Sequence, residues 1–289
     1  MDQFWSFWQH LPGKMDPVIF QIGHFKLQYY GLMYIIAFST TYFMVLYRIK
    51  HEPVFKISLE HIQGFCMAII IGLLIGARLG YVLFYNFSYY SAHLLEIIMP
   101  FKFSNGIAFT GISGMSYHGG LIGIILGTLI YVRKYKLDYW KMADLFVPVI
   151  PLGYTFGRLG NFINGELYGR VTTAPYGMYF PLAGDFMLRH PSQLYEAFFE
   201  GPFLFVILWY LRKIVKTKGA MLAIYLAGYG VVRFFIEYFR QPDDQLGFVW
   251  LTFSMGQLLC IGMITGSIGL FLFLYSKNPR SVIGCEKKV

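Results

Sequence analysis

The stretch GFCMAIIIGLLIGARLGYVLFYN, residues 64–86, carries a single charged side chain, Arg78, in 23 positions. A helix of ~20 residues crosses the ~30 Å hydrocarbon core of a bilayer, so this stretch reads as a membrane span. Working outward from it, six further apolar stretches fit the same pattern: 29–47, 110–132, 143–164, 198–211, 219–239 and 250–276. The stretch 198–211 is long enough only if Phe198 to Phe203 belong to it, and 110–132 and 143–164 are interrupted by glycines and polar residues. Lipid offers no partner to backbone polar groups, so each span is expected to be a helix. The expected fold is an all-α integral membrane protein of seven transmembrane helices. It forms a single polytopic domain over residues 1–289. A small external subdomain or lid, residues 165–197, lies between spans 4 and 5.

Composition agrees. Of 289 residues, 56% are hydrophobic and 13% charged, against about 25% charged in a soluble domain. A disordered chain, a disulfide-rich secreted module and an ordinary soluble enzyme are excluded. Cys66, Cys260 and Cys285 lie far apart and form no CxxC pair. The net charge of +9 arises from Lys and Arg between spans rather than from a basic face with exposed aromatics, so no nucleic-acid partner is expected. Residues 1–28 lack the basic start and apolar block of a cleavable leader. Tyr29-Tyr30, Tyr89-Tyr90, Tyr139-Trp140 and Trp250 fall near span ends, where amphipathic rings anchor at the interface.

Orientation follows from the basic residues. The connections after spans 1, 3, 5 and 7 hold fifteen of the 24 Lys and Arg residues, including Arg133, Lys134, Lys136 and Lys141 after span 3. The opposite side holds six: Lys14, Lys26, Lys102, Arg170, Arg189 and Arg240. The positive-inside rule therefore places the N-terminus outside and the C-terminus in the cytoplasm. The other three, Arg78, Arg158 and Arg233, lie inside spans. Each costs at least ~2.5–3.5 kcal/mol to insert, so each calls for a partner or a task.

With this orientation the polar residues of separate spans reach one depth, near the outer headgroups. Tyr30 opens span 1, and His118 lies toward the outer end of span 3. Arg158, Asn161, Asn164 and Glu166 crowd the end of span 4. Tyr229, Arg233, Glu237 and Arg240, spaced i, i+4, i+8 and i+11, form one helical stripe in span 6. Two arginines suit a phosphate, because the planar guanidinium donates paired hydrogen bonds. A histidine takes a proton near neutral pH, and the asparagines suit glycerol hydroxyls. This set fits a phospholipid substrate with an activated nucleophile. The sequence has no HExxH, Walker loop or acidic metal cluster, and neither a metal nor another cofactor is expected. A transporter or flippase for an anionic substrate is the rival reading. It calls for a midplane site and matched interrupted helices in two halves, and no repeat is detected.

Several polar residues also have plainer readings. Arg78 is read equally as a snorkelling or bundle-pairing residue and as part of the site. Glu237 reads as an orienter, and His190 and Glu196 as groups that fix the external segment. His10, His24, His51, His61 and His93 lie in loops or near span ends. Cys285 follows Val282-Ile283-Gly284, but at the C-terminal end, so its likeness to a lipidation motif is coincidental.

The run GRLGNFINGELYG, residues 157–169, closely resembles the signature of the prolipoprotein diacylglyceryl transferase family. So do QYYGLMY (28–34), GARLGYVLFYN (76–86), YHGGLIG (117–123), HPSQLYEA (190–197) and RFFIEYFRQPD (233–243), in the right order along essentially the whole chain. Ala77 is one departure, standing where the family has glycine. The resemblance implies an enzyme of the bacterial inner membrane with its site toward the outer leaflet. Such an enzyme moves the diacylglyceryl group of phosphatidylglycerol onto the lipobox cysteine of a preprolipoprotein and releases glycerol phosphate. It implies His118, Arg158 and Arg233 as the essential catalytic residues, with Arg158 contacting phosphatidylglycerol. Tyr30, Asn161, Glu166 and Gly169, with Glu237 and Arg240, match other important positions. Asn164 and Tyr229 join the substrate-binding set by spacing alone.

Overall fold

The computed structural model describes residues 2–23, 25–99, 101–102, 108–109, 114–241, 248–250 and 253–277. His24, Cys285 and the basic residues Arg280, Lys287 and Lys288 lie outside the described residues. In chain order the helices are α1 (Asp2–Gln9), α2 (Leu11–Lys14), α3 (Tyr29–His51), α4 (Leu59–Phe84), α5 (Phe87–Ala92) and α6 (Tyr117–Lys134). They continue as α7 (Tyr139–Phe146), α8 (Ile150–Ile163), α9 (Ser192–Phe198), α10 (Leu204–Leu211), α11 (Ala220–Ile236) and α12 (Met255–Lys277). Helix α3, helix α4, the run Ser192–Leu211 and helix α12 are long and apolar enough to cross a membrane, and α11 is a shorter apolar helix. Their outward faces carry Ile35, Phe43, Leu83, Val206, Phe235 and Leu272, all exposed. Such continuous apolar surface is at home in lipid.

The chain is mostly helical, consistent with an all-α integral membrane protein, and three small antiparallel hairpins accompany the helices among the described residues. The first pairs Val18–Ile22 with Phe25–Gln28, turning at Gly23, whose φ of 58° suits a residue without a Cβ. Span 4 is not one helix. Pro148 and Pro151 lack an N–H to donate, so the chain passes through a 3₁₀ turn, Val147–Val149, between α7 and α8. Span 5 begins earlier than expected and kinks. A π turn at Phe199–Phe203 joins α9 to α10, with Pro202 inside it and Gly201 at φ −98°, ψ −110°.

The chain forms two compact units, Met1–Glu52 with Trp140–Val289 and Pro53–Tyr139. In the second unit α4 packs on α6 through glycines. A Cβ on Gly76 would collide with the Gly119 carbonyl, and one on Gly123 with that of Gly72. Small residues at four-residue spacing bring two helix backbones together in this way. Ser116 caps α6 by accepting from the Gly119 N–H. Residues 114–116 are therefore not helical, although the expected span began at 110. Arg78 donates to the carbonyls of Ile97 (2.8 Å) and Glu96, with its guanidinium 4.8 Å from the Tyr90 ring centre. These contacts support its structural reading.

In the first unit α3 packs on α8, where Gly153 faces Thr41 and Gly160 faces the Tyr30 ring. Ser254 and Gln257 form a reciprocal capping box at the start of α12. The Gln257 N–H donates to Ser254 Oγ (3.2 Å) and the Ser254 N–H to Gln257 Oε1 (3.1 Å). The far ends of α3, α7 and α10 and the start of α11 meet in a polar latch. Arg48, 2% exposed, donates to the Asp144 carbonyl (2.7 Å) and to both oxygens of Glu52. Arg212 Nε donates to Glu52 Oε1 at 2.9 Å. The Asp144 carboxylate accepts from the N–H groups of Gly219 and Met221, which caps α11.

Burial pushes the Glu52 carboxyl up, but the combined hydrogen bonds and charges of Arg48 and Arg212 outweigh it and hold the group below its usual range. A carboxyl depressed by folding stabilises the protein above its unfolded pKa of about 4.3. That stability is lost as pH falls through the folded value. The thermal midpoint of the purified protein should therefore drop below about pH 4. Glu52→Gln should lower the midpoint at pH 7 and flatten the acid drop. Superimposable pH–midpoint curves for the two proteins would refute this account of the latch.

Candidate active site

The intramembrane arginines of the first unit meet in a buried ion-pair network. Arg158 lies on α8, Glu196 on α9, Glu200 in the π turn, Arg233 on α11, and Glu237 caps the C-terminal end of α11. A single oxygen, Glu196 Oε2, is 2.8 Å from both Arg158 Nε and Arg233 Nη1. Arg233 Nη1 also lies 3.6 Å from Glu200 Oε1, and Arg233 Nη2 lies 3.1 Å from Glu237 Oε2. Glu196 and Glu200 are each 1% exposed. Carboxylates so buried persist only beside a counter-charge. The kink places Glu200: a Cβ on Gly201 would collide with Thr155 Oγ1, so only glycine lets the turn approach α8 this closely. Glu237 is fixed from α12, where Ser254 Oγ donates to its Oε1 at 3.1 Å.

The two arginines differ in what remains available. Arg233 faces the carboxylates of Glu196, Glu200 and Glu237. Arg158 donates Nε to the Tyr154 hydroxyl (2.6 Å) and Nη1 to Asn161 Oδ1 (3.3 Å), and its Nε is ion-paired with Glu196. Among the described residues, Nη2 of Arg158 meets no hydrogen-bond or ion-pair partner. A Cβ on Gly157, the residue before Arg158, would find nothing within 4 Å. Asn161 in turn donates Nδ2 to Glu166 Oε1 at 2.8 Å, and Asn164 approaches the same oxygen at 3.4 Å. Gln193 Nε2 holds the Glu166 carbonyl at 2.6 Å. Tyr30 stands next to Asn161, and its hydroxyl is 3.1 Å from that of Tyr34.

The first unit thus brings together Tyr30, Arg158, Asn161, Asn164, Glu166, Arg233 and Glu237, with Tyr229 edge-on to Tyr154 at 5.9 Å. Arg240 leaves the expected stripe. Helix α11 ends at Ile236, and Arg240 continues into a β-bridge with Gly169, its carbonyl accepting from Arg170 Nε at 2.8 Å. Gly169 sits where two backbones cross: a Cβ there would collide with the Phe239 carbonyl and lie 2.6 Å from that of His190. His118 lies on the first turn of α6 in the second unit, its side chain exposed.

The sequence reading missed Glu196, Glu200 and Tyr154 as members of this network. Acids at i and i+4 in the apolar run from Ser192 to Leu211 were the available signal, since buried arginines need counter-charges. His190 keeps its structural reading. It lies among Tyr176, Tyr195 and Phe239, and burial lowers its pKa. An apolar groove of about 760 Å³ runs along α9, the π turn and α11, lined by Leu194, Phe198, Phe203, Val231 and Phe235 among others.

Fold and site define a helical membrane protein with a buried, ion-paired arginine centre. Residues 17–273 match the family model described as prolipoprotein diacylglyceryl transferase. A relative from Chlorobaculum tepidum is 54% identical, with 94% of each chain covered, and is named phosphatidylglycerol–prolipoprotein diacylglyceryl transferase. Relatives of the same name from Geobacter sulfurreducens and Bordetella avium are 44% and 41% identical, covering 86% and 92% of this chain and 91% and 97% of theirs. The chain belongs to the prolipoprotein diacylglyceryl transferase family.

Proposed function

We propose that this protein transfers the diacylglyceryl group of phosphatidylglycerol to the lipobox cysteine thiol of preprolipoproteins. The observation that carries the reading is the guanidinium of Arg158, held by Glu196, Tyr154 and Asn161 while its Nη2 keeps no partner among the described residues. A guanidinium edge binds a phosphate diester through paired N–H···O bonds. Asn161 and Glu166 lie next to it for the glycerol hydroxyls, and the apolar groove offers room for acyl chains. Seven spans, with the N-terminus outside, would form one polytopic domain in the bacterial inner membrane. They would set the site toward the outer leaflet, with residues 165–197 above it.

In this mechanism His118 accepts the proton of the incoming thiol, whose free pKa is about 8.5. The sulfur attacks the glycerol carbon that bears the phosphate. A C–S bond forms, the C–O bond to phosphate breaks, and its electron pair leaves on the phosphate oxygen of glycerol phosphate. Arg158 stabilises that charge as it grows, with Arg233 behind it through the shared Glu196. Tyr30, Asn164, Tyr229, Gly169, Glu237 and Arg240 orient the substrate or the groups that hold it.

The test incubates the purified protein with phosphatidylglycerol and a lipobox peptide. A mass gain of one diacylglyceryl group on the peptide thiol is expected, and His118→Gln should abolish it while the protein remains inserted. Lipid movement across vesicles without peptide modification would favour the transporter reading instead.

A further inference from the structure

Arg158 Nε carries one hydrogen, which it donates to the Tyr154 hydroxyl at 2.6 Å, while Glu196 Oε2 lies 2.8 Å from Nε as an ion pair. Tyr154 lies one turn before Arg158 on α8, and the guanidinium carbon is 4.8 Å from the Tyr154 ring centre. The Tyr154 side chain is itself held, with its ring edge-on to Tyr229 at 5.9 Å and its hydroxyl beside the Glu200 carboxylate. A salt bridge to one carboxylate oxygen leaves a guanidinium able to pivot about that contact. The hydrogen bond from Nε to the Tyr154 hydroxyl and the ring beneath the guanidinium remove the pivot.

We propose that Tyr154 is a positioning residue for the transfer reaction: its hydroxyl and ring together lock the plane of Arg158, so that the Nη edge faces the phosphate of the phospholipid. This rests on the function proposed above and assigns to Tyr154 the orientation of the anion site. Tyr154 touches no reacting atom. It acts through Arg158, and its loss therefore appears in binding of the anionic lipid before it appears in chemistry.

The experiment is steady-state transfer by the purified full chain, with phosphatidylglycerol varied at saturating lipobox peptide and the thermal midpoint recorded in parallel. Tyr154→Phe keeps the ring and deletes the hydroxyl. It should raise KM for phosphatidylglycerol about tenfold with kcat within about twofold, the loss expected for one hydrogen bond to a charged group. An unchanged KM overturns the proposal, whether or not the midpoint falls, since a merely structural tyrosine would lower the midpoint alone. Should the phenylalanine variant accumulate poorly, Tyr154→Gln and Tyr154→Leu carry the test. The glutamine amide oxygen still accepts from Nε, so Gln must show the lower KM, and equal values overturn the proposal. Wild-type protein that modifies no peptide would instead refute the proposed function, which separates the two failures.

Discussion

Arg158→Ala is expected to lower the rate of thioether formation by about 10²–10³-fold or more, the loss typical of deleting one fixed donor to a developing anion. The size of the effect follows from the division of work between the two buried arginines. Arg233 is enclosed by Glu196, Glu200 and Glu237, whereas Arg158 keeps an edge beyond its contacts to Glu196, Tyr154 and Asn161. Removing Arg158 deletes the donors to phosphate and leaves Asn161 without its guanidinium. Arg158→Lys is expected to recover little, because an ammonium cannot hold Glu196 and Asn161 while presenting a flat pair of donors. Single-turnover mass spectrometry of the peptide product, with inserted protein checked by its thermal transition, measures both variants. Wild-type turnover in the alanine variant would end the assignment of the phosphate to Arg158.

The apolar helices were legible in the sequence because lipid imposes one requirement, a run of uncharged residues long enough to cross it. The breaks were partly legible. Pro148, Pro151 and Pro202 remove N–H donors wherever they stand, but the sequence does not say whether the chain kinks or begins a new helix there. The polar half of the site divided along the same line. Arg158, Asn161 and Glu166 are neighbours in sequence, and their contacts are local. Tyr154, one turn before Arg158 on α8, is local too but reads as an ordinary aromatic. Glu196 and Glu200 meet the arginines only through the rotation of α9 and the kink after it, which a run of Phe and Leu on nearly every face does not specify. Arg240 was misread for a related reason. Its i+11 spacing puts it on the stripe only if the helix continues, and α11 ends at Ile236. Arg78 shows the converse case, an intramembrane charge satisfied by the carbonyls of Glu96 and Ile97.

Glu196 is where the second large effect should fall. One of its oxygens, buried with the rest of the side chain, neutralises two guanidiniums at 2.8 Å each. Deleting one member of a buried pair costs about 3–5 kcal/mol, mainly because the remaining charge loses its partner. Here Arg158 loses the carboxylate paired with it, while Arg233 keeps Glu200 and Glu237. Glu196→Ala should therefore lower both the thermal midpoint and the yield of inserted protein. Glu196→Gln separates shape from charge. In the native network three glutamates face two arginines, a balance unfavourable to an incoming phosphate. With glutamine in place the balance becomes neutral, while Nε and Nη1 lose the charge that fixes their directions. The expected signature is a lower KM for phosphatidylglycerol together with a kcat reduced by about 10²-fold, tighter ground-state binding without the oriented donors that the transition state uses. A phosphatidylglycerol-induced thermal shift larger than that of the wild type should accompany it. If kcat and KM both stay at wild-type values in Glu196→Gln, the shared carboxylate does not set the geometry of the two arginines, and the site must hold its anion by other groups.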